Sequence, residues 1–189
     1  MLKSNVMLYY VTAGWILLAV VLSGYFLIDT TSPTADVEAR YNPNVRHVYV
    51  GDMEPGDFST FRINGRPIVI WRRNNEEMAK ALTQLNPDFA FEETLGELES
   101  GAFARAVDPD NFTFLKWIIV SAVDEGGIGC IVTVKAGEFG GFYDPCHKSH
   151  FDLWGRITAG PSEQNLMIVP SSFDKENQSV LVDVTDMPR

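Results

Sequence analysis

Asp144, Cys146, His147, His150 and Asp152 stand within nine residues, in the stretch FGGFYDPCHKSHFDLWGRI (residues 139–157). Thiolate and imidazole are ligands for iron and zinc, whereas carboxylates suit harder divalent ions. Two carboxylates and an imidazole suffice to hold one divalent cation, so Glu125, Asp144 and His147, with His150 and Asp152 close by, form a candidate metal set. The plainer expectation is that Glu125 and Asp144 are solvated loop residues and that His150 and Asp152 serve the packing of their own loop. The only other cysteine is Cys130, in EGGIGC (residues 125–130). No Cys-x-x-Cys spacing exists to lower a thiol pKa, so a structural link between Cys130 and Cys146 is expected rather than a catalytic thiol pair. Outside the cytoplasm an even cysteine count suggests a disulfide. Closing that loop would stabilise by about 3 kcal/mol in the chain-entropy model. Both cysteines are expected in Gly-rich loops, and His47 on a strand face at the surface.

These residues need elements to place them. Residues 7–28, MLYYVTAGWILLAVVLSGYFLI, carry no charge. At about 1.5 Å per residue this run spans a hydrocarbon core of roughly 30 Å. A cleaved signal peptide would have a shorter apolar core followed by Ala-x-Ala; here the chain runs into DTTSPTADVEA, so an uncleaved anchor (residues 1–29) is expected. Tyr9, Tyr10 and Tyr25 suit its two interfaces. Lys3 before the span and Asp29 after it give the only orientation signal, placing the N-terminus in the cytoplasm and the rest outside.

All but one of the 15 Lys+Arg and all 25 Asp+Glu fall after residue 28. Such an acidic domain excludes a general nucleic-acid surface, which needs a basic stripe, and permits docking to a basic partner. Residues 30–44, polar and with two prolines, read as a tether to a domain over 45–189. TFRINGRPIVIW holds two apolar runs around Asn64-Gly65, a hairpin signal because both turn residues tolerate positive φ. NNEEMAKALTQL has an Asn cap and apolar positions at helical spacing. From there to Asn111 the chain is acidic and is expected to be an irregular insertion. FLKWIIVSAV, CIVTV, LMIVP and SVLVDV read as short strands, making an antiparallel β domain with one helical insertion.

On these motifs the chain resembles the Rieske iron–sulfur subunit of the cytochrome bc complex, ubiquinol–cytochrome c reductase. AGEFGGFYDPCHKSHFDLWGRITAGP parallels the family's second cluster loop and its Pro-containing third loop; LYYVTAG, SPTADV and GRPIVIWRR match at anchor, tether and hairpin. The segment from about residue 74 to 111 matches poorly. The resemblance implies an antiparallel β sandwich behind a single transmembrane helix, with the cluster-loop region at 124–161. The family's two-iron, two-sulfur cluster takes two Cys on one iron and two His on the other, which raises its potential. Carried over, the ligand Cys positions fall on Glu125 and Asp144, and the ligand His positions on Gly127 and His147. The disulfide positions fall on Cys130 and Cys146. Of the two groups that hydrogen-bond the cluster sulfurs, Ser149 remains and the Tyr position is Phe151. Lys148 replaces a family Gly. The twin arginine expected before the anchor falls on Ser4 and Asn5, consistent with export unfolded and without cofactor.

With three of four ligands absent, no cluster is expected, and the implied role is that of a structural or accessory subunit. It would sit in an inner membrane with its domain in the periplasm, beside cytochrome b, other complex subunits and membrane lipid. Two further readings stay open: a redox subunit holding a 2Fe-2S cluster through atypical ligands, and a periplasmic thiol–disulfide or mononuclear metal-binding protein.

Overall fold

A computed structural model describes residues 2–31, 42–126 and 129–187. The chain divides into two units, Met1–Asn42 and Pro43–Arg189. Most of the expected tether (residues 32–41), and Gly127, lie outside the described residues.

The first unit holds one helix, α1 (Leu2–Thr31). Its stretch Val6–Leu27 is 22 residues long and apolar enough to cross a membrane. An all-round apolar helix without a packing face matches lipid as its solvent.

The second unit is built on a middle sheet of β2 (Phe58–Ile63), β3 (Arg66–Arg72) and β4 (Trp117–Ser121), all antiparallel. Asn64 and Gly65 take φ of 47° and 80°, giving the tight turn that pairs Ile63 with Arg66. Both faces of β3 and β4 are buried, which is why IVIW and WIIV are continuous apolar runs rather than alternating ones. Ile68, Ile70 and Ile119 pack on Val48, Val180 and Val182, from the sheet of β1 (Val45–Tyr49), β12 (Ser179–Asp183) and β11 (Ser171–Asp174), and on Val184 just beyond β12. The alternate residues Val69, Trp71, Ile118 and Val120 pack on the opposite side with the helices and with Phe142, Phe151 and Leu153. Between β4 and β11 lie β5 (Val123–Asp124), β6 (Cys130–Ile131), β7 (Thr133–Val134), β8 (Phe142–Asp144), β9 (Ser149–Phe151) and β10 (Ile157–Ala159). Of these, β5 and β6 make a ribbon and β10-β9-β8-β7 a four-stranded sheet.

The antiparallel β architecture and its leading helix are as expected from the sequence; several details differ. The acidic segment is not irregular. After α2 (Asn75–Leu85) come α3 (Phe91–Glu99), α4 (Ala102–Ala106) and α5 (Pro109–Lys116). Asn74 and Glu77 form a reciprocal capping box at the start of α2. Phe91, Leu95, Leu98, Phe103, Phe112 and Leu115 turn this insertion's apolar side onto the core. FLKWIIVSAV is the end of α5 followed by a strand that begins only at Trp117. CIVTV is broken at Val132 into β6 and β7, because Val132 N–H turns aside to Ala122 O. LMIVP is no strand: it runs along β4 with a single bridge, Val120 to Ile168.

Arg73 joins the insertion to the cluster-loop region. Its guanidinium is buried, donates to Leu115 O (2.8 Å) and Leu153 O, and stacks 4.5 Å over Trp154. Burial lowers its pKa to about 10, against the opposing charges of Glu77 and Asp152. Helix α2 supports the same region. Gln84 accepts from Leu153 N–H and donates to Phe139 O, while Trp154 Nε1 donates to Ala81 O.

Candidate functional site

The cluster-loop region is closed by a disulfide, Cys130–Cys146, with Cα atoms 6.3 Å apart and a sequence separation of 16. Cys130 lies not in a loop but at the start of β6, opposite Asp124 on β5. Cys146 is exposed in the turn between β8 and β9.

Beside this bridge sit two buried carboxyl groups. Asp144, expected in solvent, ends β8 and has no exposed surface. Its Oδ1 accepts from Cys146 N–H at 2.8 Å, which builds the turn, and its Oδ2 accepts from His147 Nδ1 at 2.6 Å. Burial raises the pKa of such a group, but the hydrogen bonds from His147 and Cys146, and the charge of His147, outweigh it and hold the Asp144 carboxyl below its ordinary range. His147 keeps about a quarter of its side chain (23%) in solvent. The same short turn that buries Asp144 therefore presents its imidazole outward.

The second carboxyl, Asp124, was not singled out by the sequence. It is buried (1% exposed) and its side chain adjoins that of Asp144. Ser162 Oγ donates to Asp124 Oδ1 at 2.7 Å, as does Gly126 N–H at 3.0 Å, while no N–H or hydroxyl of another residue reaches Asp124 Oδ2. Ser162 N–H in turn donates to Ser149 Oγ at 3.0 Å. A chain of contacts thus runs from Ser149 through Ser162, Asp124 and Asp144 to His147. Nothing local in sequence signals it, since Ser162 stands 38 residues from Asp124.

The other expected site residues are placed apart from this chain. Glu125 is exposed in the turn after β5. Phe151 is fully buried in the core, paired across the strands with Phe142. Lys148 is exposed with φ 58°, the left-handed region where the resemblance expects glycine. His150 Nδ1 accepts from Glu138 N–H at 3.2 Å, and its ring packs on Tyr143 and Phe139. Asp152 accepts from Trp154 and Arg156 N–H and pairs with Arg156 Nε at 2.7 Å. Both therefore serve their own loop, and Asp152 belongs to no donor set with Asp144. His47 is exposed on β1. Among the described residues, the one His/Cys/Asp/Glu group compact enough to share an ion is Cys130, Asp144 and His147, whose donor atoms lie within 4.8 Å of one another.

The described residues thus present a disulfide-closed, antiparallel loop region on a β body, in a chain whose first unit is a single helix apolar enough to cross a membrane. The sequence is 32% identical over 171 residues to the ubiquinol–cytochrome c reductase iron–sulfur subunit of Cereibacter sphaeroides, covering 89% of each chain. The chain belongs to the family of Rieske subunits of the cytochrome b-c1 complex. It is 33% identical over 134 residues to the mitochondrial Rieske-5 subunit of Nicotiana tabacum, covering 71% of this chain and 45% of that one, so it spans less than half the length of such plant relatives. A chain of a hyperthermophilic respiratory Complex III overlays with a TM-score of 0.49 at 13% identity, covering 89% of this chain and 96% of that one. No family model matches.

Proposed function

We propose that this protein is a cluster-free Rieske-family subunit, anchored by α1 beside the cytochrome b of a membrane cytochrome bc complex and serving there as an accessory component. The observation that carries the reading is the state of Asp144. It stands at a position to which the resemblance assigns an iron-ligating cysteine, yet both its oxygens are taken, by Cys146 N–H and by His147 Nδ1. The matching position on the first loop is Glu125, a hard oxygen donor where thiolate would hold iron against sulfide. Both cysteines are consumed in the disulfide. This donor set does not fit a two-iron cluster, and no electron-transfer step is assigned to the chain.

What remains suited to a complex is the anchor, with a bacterial inner membrane, N-terminus inside and domain in the periplasm as the implied setting. Helix association in lipid relies on close packing at small residues. On α1 these are Ala13, Gly14, Ala19, Ser23 and Gly24; a Cβ built at Gly14 or Gly24 meets nothing within 4 Å, so both positions are open to a neighbour. The test is copurification with cytochrome b from native membranes. The Gly14→Leu/Gly24→Leu variant should lose the partner while residues 1–44 alone retain it. If the anchor variant keeps cytochrome b and deletion of the domain abolishes it, docking is extramembrane and the anchor's assigned role is wrong.

A further inference from the structure

We propose that reduction of the Cys130–Cys146 disulfide uncovers a mononuclear zinc-type site formed by Cys130 Sγ, the Asp144 carboxylate and the His147 imidazole. The inference goes beyond the accessory role and rests on the reading that no iron–sulfur cluster occupies the region. The three donor atoms already lie within 4.8 Å of one another. One thiolate, one imidazole and one carboxylate match the borderline donor preference of zinc and leave a fourth, tetrahedral position for water. Asp144 supplies a buried carboxylate oxygen, Oδ2, which now accepts from His147 Nδ1 and would exchange that hydrogen bond for the ion. His147, one-quarter exposed, gives the ion a way in.

A second and independent observation points to a cation. Asp124 is 1% exposed and its side chain lies within hydrogen-bond reach of Asp144, while no N–H or hydroxyl of another residue reaches its Oδ2. Two buried carboxyl groups in contact need either a shared proton or a neighbouring positive charge. An ion on Asp144 would supply that charge, with Asp124 behind it as an outer anion, in the way carboxylates support ligands from a second layer. In the oxidised protein Cys130 is bonded to Cys146 and cannot contribute a thiolate.

The chemistry balances with a dithiol as reductant. Cys146 is exposed and Cys130 partly buried, so a dithiol's thiolate attacks the Cys146 sulfur. The Cys130–Cys146 bond breaks, a mixed disulfide forms at Cys146, and Cys130 leaves as thiolate among the other donors. The reductant's second thiol then closes on the first, releasing Cys146 and giving the oxidised dithiol, with two electrons transferred. The metal binds Cys130 as thiolate, so any proton it carries is lost to solvent.

The probe is Co²⁺, added to the full-length chain in detergent, because thiolate ligation gives it a near-ultraviolet charge-transfer band that oxygen and nitrogen donors do not. Dithiol-reduced protein should take up one Co²⁺ per chain with that band, displaced by Zn²⁺, and oxidised protein should not. Cys146→Ser should bind without reductant, whereas Cys130→Ser, which breaks the same disulfide and shares its cost in stability, should lose the band. Asp144→Asn and His147→Gln should each weaken binding at least tenfold after reduction. Equal binding by the two cysteine variants, or no band in reduced wild type, overturns the proposal. Iron with acid-labile sulfide in the protein as isolated would instead overturn the cluster-free reading on which it rests, a result visible before any cobalt is added.

Discussion

Around β3 and β4, alternate residues reach two apolar cores, with Trp71 and Val69 on one side and Ile68 and Ile70 on the other, all at most 1% exposed. Across residues 124–162, Phe142, Phe151 and Leu153 enter the first of these cores, but the loops themselves are closed by one disulfide and by contacts through Ser149, Ser162, Asp124, Asp144 and His147. The first region is stabilised by area removed from water, which is non-directional and survives modest changes of side chain. The second depends on individual partners, and losing one strands another in a dry site. The body can therefore keep its fold while the loop region changes its chemistry, and the changed positions are where function has to be sought.

Four perturbations separate the two regions. Ile70→Ala, in the core that no residue of 124–162 enters, should have the largest effect, about 2–5 kcal/mol of lost stability from emptying a core site. It should lower the denaturation midpoint equally whether the disulfide is reduced or intact; a strong dependence on the disulfide would mean that the body and the loop region are one cooperative core. Cys130→Ser should cost about 3 kcal/mol through the opened 16-residue closure. Hydrogen exchange should show that loss concentrated in β6–β9 and leave β3 and β4 protected, whereas uniform loss would erase the distinction.

Asp144→Asn should cost about 1–3 kcal/mol at neutral pH, through the weakened hydrogen bonds of a buried site. The folded carboxyl is held below its ordinary range, so its contribution is full above the unfolded carboxylate value of about 4 and is lost as pH falls through the folded value. Wild type and variant should therefore converge in stability in acid. A gap that persists unchanged well below pH 4 would show that charge is not what the site uses. The smallest effect belongs to Lys148→Gly, which relieves a left-handed lysine at φ 58°. The gain should be under about 1 kcal/mol, since the greater freedom of glycine in the unfolded chain offsets part of it. A loss on this change would show that the lysine side chain itself contributes.

Much of the body can be read from the sequence because its signals are local. The charge-free run gives α1, Asn64-Gly65 gives the hairpin, and Asn74 with Glu77 gives the start of α2. The helices of residues 91–116 were hidden by their acidic surface. Ala90 offers no capping side chain, Gly101 interrupts between α3 and α4 at φ 70°, and α4 is only five residues long. Their apolar positions, Phe91, Leu95 and Leu98 among them, nevertheless follow helical spacing. The two cysteines could be paired from their count and setting. The burial of Asp144 could not, because it is enforced by Asp124 and by strand pairing of β8 with β9, and no short window contains those partners. A carboxylate at a loop's end reads as solvated until the fold covers it.

The central claim is that the loop region holds no iron–sulfur cluster. It is tested most directly by quantifying iron and acid-labile sulfide in the protein purified anaerobically from native membranes, with low-temperature electron paramagnetic resonance after reduction. Substoichiometric iron, no labile sulfide and no Rieske-type signal are expected. About two irons and two sulfides per chain, the content of a two-iron cluster, together with that signal would contradict it.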